Sequence, residues 1–311
     1  MNDHDRTASL MSPAKLARMR PKAAASPGAW LDQMAADVGL LQVDNLVGVQ
    51  RALESQAGGR DLATVRGALE ALQTVQQQLD FSLLQTRGWW ARTTGKARSA
   101  GAEFAAQVEQ ITEATRALGT LASLLQKSQP GESAVTERTL VDMEVEYRAL
   151  DQLVEQGAKW LQDMRTQLQQ RHAAAAADPA AQQQVREDAA RCEILVTRLK
   201  ALRAISAMAR ATLNQTREVL ALRAALALHL SQAMPATFRG WSTRLTALAN
   251  AAADVAGGPE LSVEAPMEIH QQMQQQTADA VARSAQLLAL EQALATSLGS
   301  LGRMLADARG A

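Results

Sequence analysis

The stretch LVDMEVEYRALDQLVEQGAKWLQDMRTQL, residues 140–168, decides the fold. Leu140, Met143, Tyr147, Leu150, Val154, Gly157, Leu161, Met164 and Leu168 follow one another at alternating spacings of three and four. That period puts all of them on one stripe of an α-helix and imposes packing of the coiled-coil kind. Gly157 on the stripe allows a second helix to approach closely, or is a weak spot in it. Glu144, Glu146 and Glu155 flank it as a solvated helix face should.

Outward from this helix the same period continues. A poly-alanine run, Ala173 to Ala177, reads as the turn of a long hairpin, and Asp178-Pro179 as a helix start with N-cap and first-turn proline. From Pro179 to Met234 there is neither glycine nor proline. Cys192, Leu195, Leu199, Leu202, Ala209, Leu213 and Leu220 mark much of an inward face, interrupted by the polar Asn214–Arg217. The long hairpin therefore covers 133–234. Other helices are expected over Ala29–Ser55, from Asp61 to about Leu84, over Ala100–Lys127 ending before Pro130-Gly131, over Ala236–Val255 after a start or kink at Pro235, and over Met267–Arg309.

Composition agrees. Aromatic residues make up 3% of the 311, and Ala, Leu, Gln, Arg and Glu dominate. The expected class is all-α, an elongated antiparallel bundle of long helices with coiled-coil-like packing. Residues 1–28 read as a flexible basic tail, carrying Lys15, Arg18, Arg20 and Lys22, and 29–311 as one helical domain with a sub-boundary near 88–99.

Lys and Arg together number 32, as do Asp and Glu, so the formal net charge is zero. This argues against a generally nucleic-acid-binding chain. The opening MNDHDRTASL lacks the apolar segment of a secretory signal, and the most apolar run, Val219 to Leu230, is broken by Arg223 and His229, short of a membrane span. With Cys192 as the single cysteine, the cytoplasm is the expected compartment, with contact at the inner face of the cell membrane as an extension of it.

Catalytic and metal motifs are missing from the sequence. His4, His172, His229 and His270 are scattered, and no phosphate-binding loop is present. Met267, His270 and Met273 share a helix neighbourhood that suits Cu(I), but an ordinary half-buried face explains them better. Cys192 beside Arg191 reads as a buried structural thiol rather than a reactive one. Arg198, Lys200, Arg203 and Arg210 form either a cationic groove for an anion or a solvated face. The expectation is a non-enzyme without metal or cofactor; any small-molecule substrate stays open.

One stretch invites a contact function. LLQTRGWWARTTGKARS, residues 83–99, sets Trp89 and Trp90 among Arg87, Arg92, Lys96 and Arg98, with no acid between Asp80 and Glu103. The rings either fill a corner between helices, sit at an anionic membrane surface, or stack on single-stranded nucleic acid. Nucleic acid is the weakest of the three for a neutral chain.

The order of features resembles the toxic anion (tellurite) resistance family, the TelA-like proteins. The resemblance rests on the turn at Leu83–Arg98, the acidic helix from Leu140 to Trp160-Leu161, the arginine-spaced stretch Arg191–Val219 with Gln215-Thr216-Arg217, and Met234-Pro235 followed by Phe238 and Trp241. It covers residues 80 to 305. It implies a cytoplasmic helical protein linked to resistance to toxic anions or to envelope stress, with no catalytic residues to carry over. The expected function is thus a scaffold or stress-resistance protein acting through a protein or membrane-surface contact. The alternative is a coiled-coil adaptor, or a self-assembling structural protein, without a membrane role.

Overall fold

The computed structural model describes residues 27–57, 62–84, 96–175, 178–253 and 262–310. Among them there is no strand. The elements are α1 (Pro27–Asp37), α2 (Leu40–Ala57), α3 (Leu62–Gln77), a 3-10 turn (Phe81–Leu84), α4 (Lys96–Ala174), α5 (Pro179–Leu228), a π turn (His229–Ala233), α6 (Met234–Ala253) and α7 (Glu264–Gly310). The fold is an all-α bundle of a few long helices packed against each other. The chain divides into two compact units. The first comprises residues up to 58, 134–217 and from 293 on; the second comprises 59–133 and 218–292. The divisions fall inside α4, α5 and α7; most of the expected sub-boundary at 88–99 lies outside the described residues.

The first unit is built on the hairpin of α4 and α5. Asp178 caps α5 as its sequence suggests, its Oδ1 accepting the Ala180 amide at 2.9 Å. Partners then run up one helix as they run down the other. Arg171 meets Asp188, Arg165 meets Glu193, Asp151 meets Arg210, and Glu144 meets Arg217. Between them Leu140, Met143, Tyr147, Leu150, Leu161, Met164 and Leu168 are buried, as are Cys192, Leu195, Leu199, Leu202, Ala209 and Leu213. Val154 is only half-buried, and the neighbouring Leu153 takes the inward place. A Cβ at Gly157 would stand 2.7 Å from both Leu199 methyls, so the two helices close together there because the side chain is absent. Glu146 departs from the expected solvated face. It is buried and accepts a hydrogen bond from Asn45 Nδ2 of α2 at 2.9 Å.

Several breaks differ from their sequence expectations. The single helix expected over Ala29–Ser55 is two, because Gly39 adopts φ +75°, a left-handed conformation open to glycine. A Cβ at Gly39 would also meet Leu202 at 2.8 Å, so the turn doubles as a packing contact. α3 ends at Gln77, and the chain continues to Leu84 through the 3-10 turn. Conversely, Pro130-Gly131 does not end a helix: α4 runs through it for 79 residues. Proline removes one ladder bond and crowds the previous turn. The cost is tolerable here because no residue between Ala122 and Thr136 is buried, which leaves the released carbonyl open to water. Pro235 starts an element as expected. The preceding turn widens into a π turn in which the Met234 amide reaches back to the His229 carbonyl, and helix resumes at Met234.

One helical run, Pro179–Ala252, contains a window long and apolar enough by composition to cross a membrane, which the sequence reading had not credited. Within that run Arg223 pairs with Glu291, and His229 Nε2 lies 3.4 Å from the Gln276 carbonyl oxygen.

Candidate interaction surface

The expected contact stretch begins from a pinned element. In the second unit, the 3-10 turn is held by Phe81, whose ring lies 5.6 Å from Phe104 and 5.7 Å from His270. Leu84 is buried, and the Asp80 amide donates to Gln107 Oε1 at 2.9 Å. The Asp80 carboxylate accepts the Ser82 amide at 2.8 Å, and hydrogen bonds from Ser82 hold its pKa below the ordinary value. Arg87, Trp89, Trp90 and Arg92 lie outside the described residues. Lys96 is the first residue of α4, four residues earlier than expected, and Arg98 in its first turn is exposed.

Behind this turn stands a cluster that the sequence did not announce. Trp241 of α6 is fully buried, and its Nε1–H donates to His270 Nδ1 of α7 at 3.1 Å. An indole nitrogen only donates, so Nδ1 is the bare acceptor and Nε2 carries the proton. Nε2 faces the Gln76 carbonyl oxygen at the end of α3, 3.0 Å away, and Gln274 Nε2 donates to the same oxygen at 3.2 Å. His270 thus satisfies an orphan helix-end carbonyl and ties three helices together. Burial pushes its pKa below the ordinary histidine value, with the bond to Gln76 opposing. Phe238 stacks on Trp241 with centroids 5.4 Å apart. The Gln76 side chain, by contrast, is buried with both polar atoms unpartnered.

This geometry leaves His270 no nitrogen for copper. Both His270 nitrogens are occupied, Met273 is buried, and Met267 is 37% exposed. Among the described residues no group of three His, Cys, Asp or Glu side chains is placed to hold a metal ion.

The arginines of α5 do not make one cationic groove. Arg198 is buried in the first unit, its Nε donating to the Val38 carbonyl at 3.3 Å and its Nη1 to that of Ala308. It caps the chain leaving α1 and the last turn of α7 at once. Desolvation lowers its pKa from the ordinary value. Lys200 and Arg203 are exposed, while Arg210 pairs with Asp151 and lies 5.3 Å over the Tyr147 ring. Cys192 is a buried thiol whose pKa is raised, by burial first, with Arg165 opposing. Arg191, its neighbour in the chain, pairs with Asp188 and Asp32.

Each unit has an apolar opening among its described residues. In the first unit, a cleft of about 430 Å³ is lined by Ile194, Ala201 and Ile205 of α5 and Met304 of α7, with Arg198 at its wall. Ile194 is 60% exposed. In the second unit, a cleft of about 310 Å³ lies under the Pro130 region of α4.

No family model, curated protein or solved structure matches the chain.

Proposed function

We propose that this protein is a non-enzymatic helical scaffold or stress-resistance protein that works by contact through the basic double-tryptophan stretch. Its favoured counterpart is the anionic inner face of the cell membrane, or a protein held there. The observation that carries the reading is the composition of that stretch, with Trp89 and Trp90 among Arg87, Arg92, Lys96 and Arg98 and no acid between Asp80 and Glu103. Of its described flanks, Phe81 and Leu84 are anchored in the core and Arg98 is exposed. Tryptophan and clustered cations suit an interface between apolar and anionic layers. The buried ionisable groups support a structural rather than chemical use of the interior. Arg198, Arg223 and His270 are each spent on a helix end or a facing helix. The stress-resistance part of the reading rests on the resemblance to the TelA-like proteins.

Co-sedimentation with neutral and anionic vesicles at low and high salt tests it. Anionic-specific binding, weakened by salt and lost in Trp89→Ala/Trp90→Ala, is the expected result. An unchanged supernatant under all conditions overturns it.

A second reading, a self-assembling structural protein, is favoured by the exposed Ile194 beside the small residues of its cleft. Concentration-dependent mass in light scattering, abolished by Ile194→Asp, is its signature; a monomer at high concentration removes it.

A further inference from the structure

α5 carries a second apolar face that the first unit leaves partly open. Leu199 meets α4 at Gly157. About a quarter turn round the helix, Ile205 is buried while Ile194 is 60% exposed. The cleft of about 430 Å³ lies between that face, Ala35 of α1 and Met304 of α7. It is roughly three times the size of a cavity that takes up benzene, room for about two apolar side chains and the helix turn that carries them. Thr197, Ala201 and Ala204, all exposed, line it with short side chains, so that a further helix can come close to α5. Two ionisable side chains are in the lining. Arg198 is buried and bonds the carbonyls of Val38 and Ala308. Asp307 is exposed and has no ion-pair partner among the described residues. Lys200 and Arg203 lie outside the lining.

The chain itself supplies an occupant. Residues 1–26 lie outside the described residues and lead into α1, the helix that carries Ala35. Within them the stretch MSPAKLARMRP, residues 11–21, has the sequence signals of a short amphipathic helix. Ser12 and Pro13 are a cap and a first-turn proline, Met11 and Leu16 stand at the positions of a hydrophobic staple, and Pro21 is a stop. Leu16 and Met19, three apart, share one side of such a helix, bordered by Lys15 and Arg20. A segment this short buries too little by itself to hold one conformation, and an open apolar cleft supplies the missing surface. The reach suffices. From Ala35 back to Pro27 the chain rises about 12 Å as helix, and the eight steps from Pro27 back to Met19 span up to about 27 Å. A short tether also gives the segment an effective concentration of about millimolar, which a second copy of the chain matches only at comparable protein concentration.

We propose that residues 12–20 dock intramolecularly in the cleft between α1, α5 and α7 of the first unit, with Leu16 and Met19 inserted and a basic neighbour set against Asp307. The docked segment covers Ile194, so self-association through that residue has to displace it.

The first test is limited proteolysis of the full chain with trypsin, the cleavage of each bond being followed by mass spectrometry. Ala201→Gln fills the cleft from an exposed position with a good helix former. The bonds after Lys15 and Arg18 are expected to be cut about tenfold faster in this variant than in the wild type, because cleavage follows the population of the open form. The bond after Arg6, outside the docked segment, is expected to keep its rate. Ala204→Gln repeats the block should Ala201→Gln lower the melting temperature. The second test reads the cleft. Ala204→Cys is labelled with a maleimide, the buried Cys192 giving a slow background. Adding Leu16→Asp/Met19→Asp, which lie outside the described helices, is expected to speed labelling about tenfold, as the docked population is lost. Both protections are expected to hold across a dilution series. Rates unchanged by the cleft variants and by the Leu16→Asp/Met19→Asp pair overturn the proposal. So does protection that fades on dilution in step with the mass in light scattering, which makes a second copy the occupant.

Discussion

In the first unit Arg198 lies buried among helix ends and bonds two carbonyl oxygens. In the second, Arg223 lies equally buried opposite a carboxylate, and a tryptophan–histidine pair secures the helix end. The packing differs in the same sense. Phe81, Phe104, Phe238 and Trp241 all belong to the second unit, whereas the first closes mostly on aliphatic side chains, with Tyr147 and two glycines, Gly39 and Gly157, among them. Small residues bring helices near enough for side chains to interlock, and ion pairs line the seam. Large rings fill space generously at one end and leave an opening at the other. A helix can thus run through two kinds of core, the local side-chain volume deciding how closely its neighbours approach.

The comparison breaks most readily at Trp241. Trp241→Ala empties a fully buried site and leaves His270 Nδ1 without its donor, so a loss of about 3–5 kcal/mol is expected in denaturant unfolding. Because this aromatic cluster lies within the second unit, hydrogen exchange should rise first among residues 62–84 and 234–253. Gly39→Ala probes the other core. Its Cβ meets Leu202 and its positive φ is strained, so about 1–3 kcal/mol should be lost, with exchange rising along α1 and α2. Gln76→Met runs the other way. The buried amide of Gln76 has no partner, and its removal is expected to stabilise by about 1–2 kcal/mol, read as a higher melting temperature.

pH separates the units more gradually. His270 is neutral in the folded state and its pKa is lowered by burial. The unfolded chain therefore binds a proton more readily. Stability from this group is complete above the ordinary histidine pKa and is lost as pH falls from there through the folded-state value. His270→Gln, which can still accept from Trp241 and donate to Gln76, should flatten that part of the stability profile. An unchanged profile would remove His270 as the acid-sensitive point. The smallest effect belongs to Arg165→Ala, which breaks an exposed pair with Glu193. A change within about 0.5 kcal/mol is expected in a melting curve.

Hydrophobic period made most of the helices legible, because alternation of three and four survives any detail of packing. The hairpin could be read from Leu140–Leu168, Asp178 and Pro179. The breaks could not. Gly39 turns the chain where Leu202 and Leu150 leave no room for a side chain, and Pro130 is tolerated because none of its neighbours is buried. Both reasons lie in tertiary surroundings. The same holds for Glu146 and Arg198, whose spacing reads as a solvated face until Asn45, Val38 and Ala308 arrive. Trp241 and His270 are 29 residues apart and Gln76 is 194 residues from His270, too far for any pattern to join them. The basic double-tryptophan stretch was legible as composition alone.

The order in which the chain supplies its parts has a consequence for synthesis. Every segment of the second unit has been translated by residue 292. The first unit still waits for α7's last turns, which bring Leu298 to Gln50 across 248 residues and Ala308 to Arg198 across 110. Until those turns emerge from the ribosome, the α4–α5 hairpin keeps an uncovered apolar flank and Arg198 lacks one of its carbonyls, so the first unit is the later of the two to close and the one a chaperone would cover.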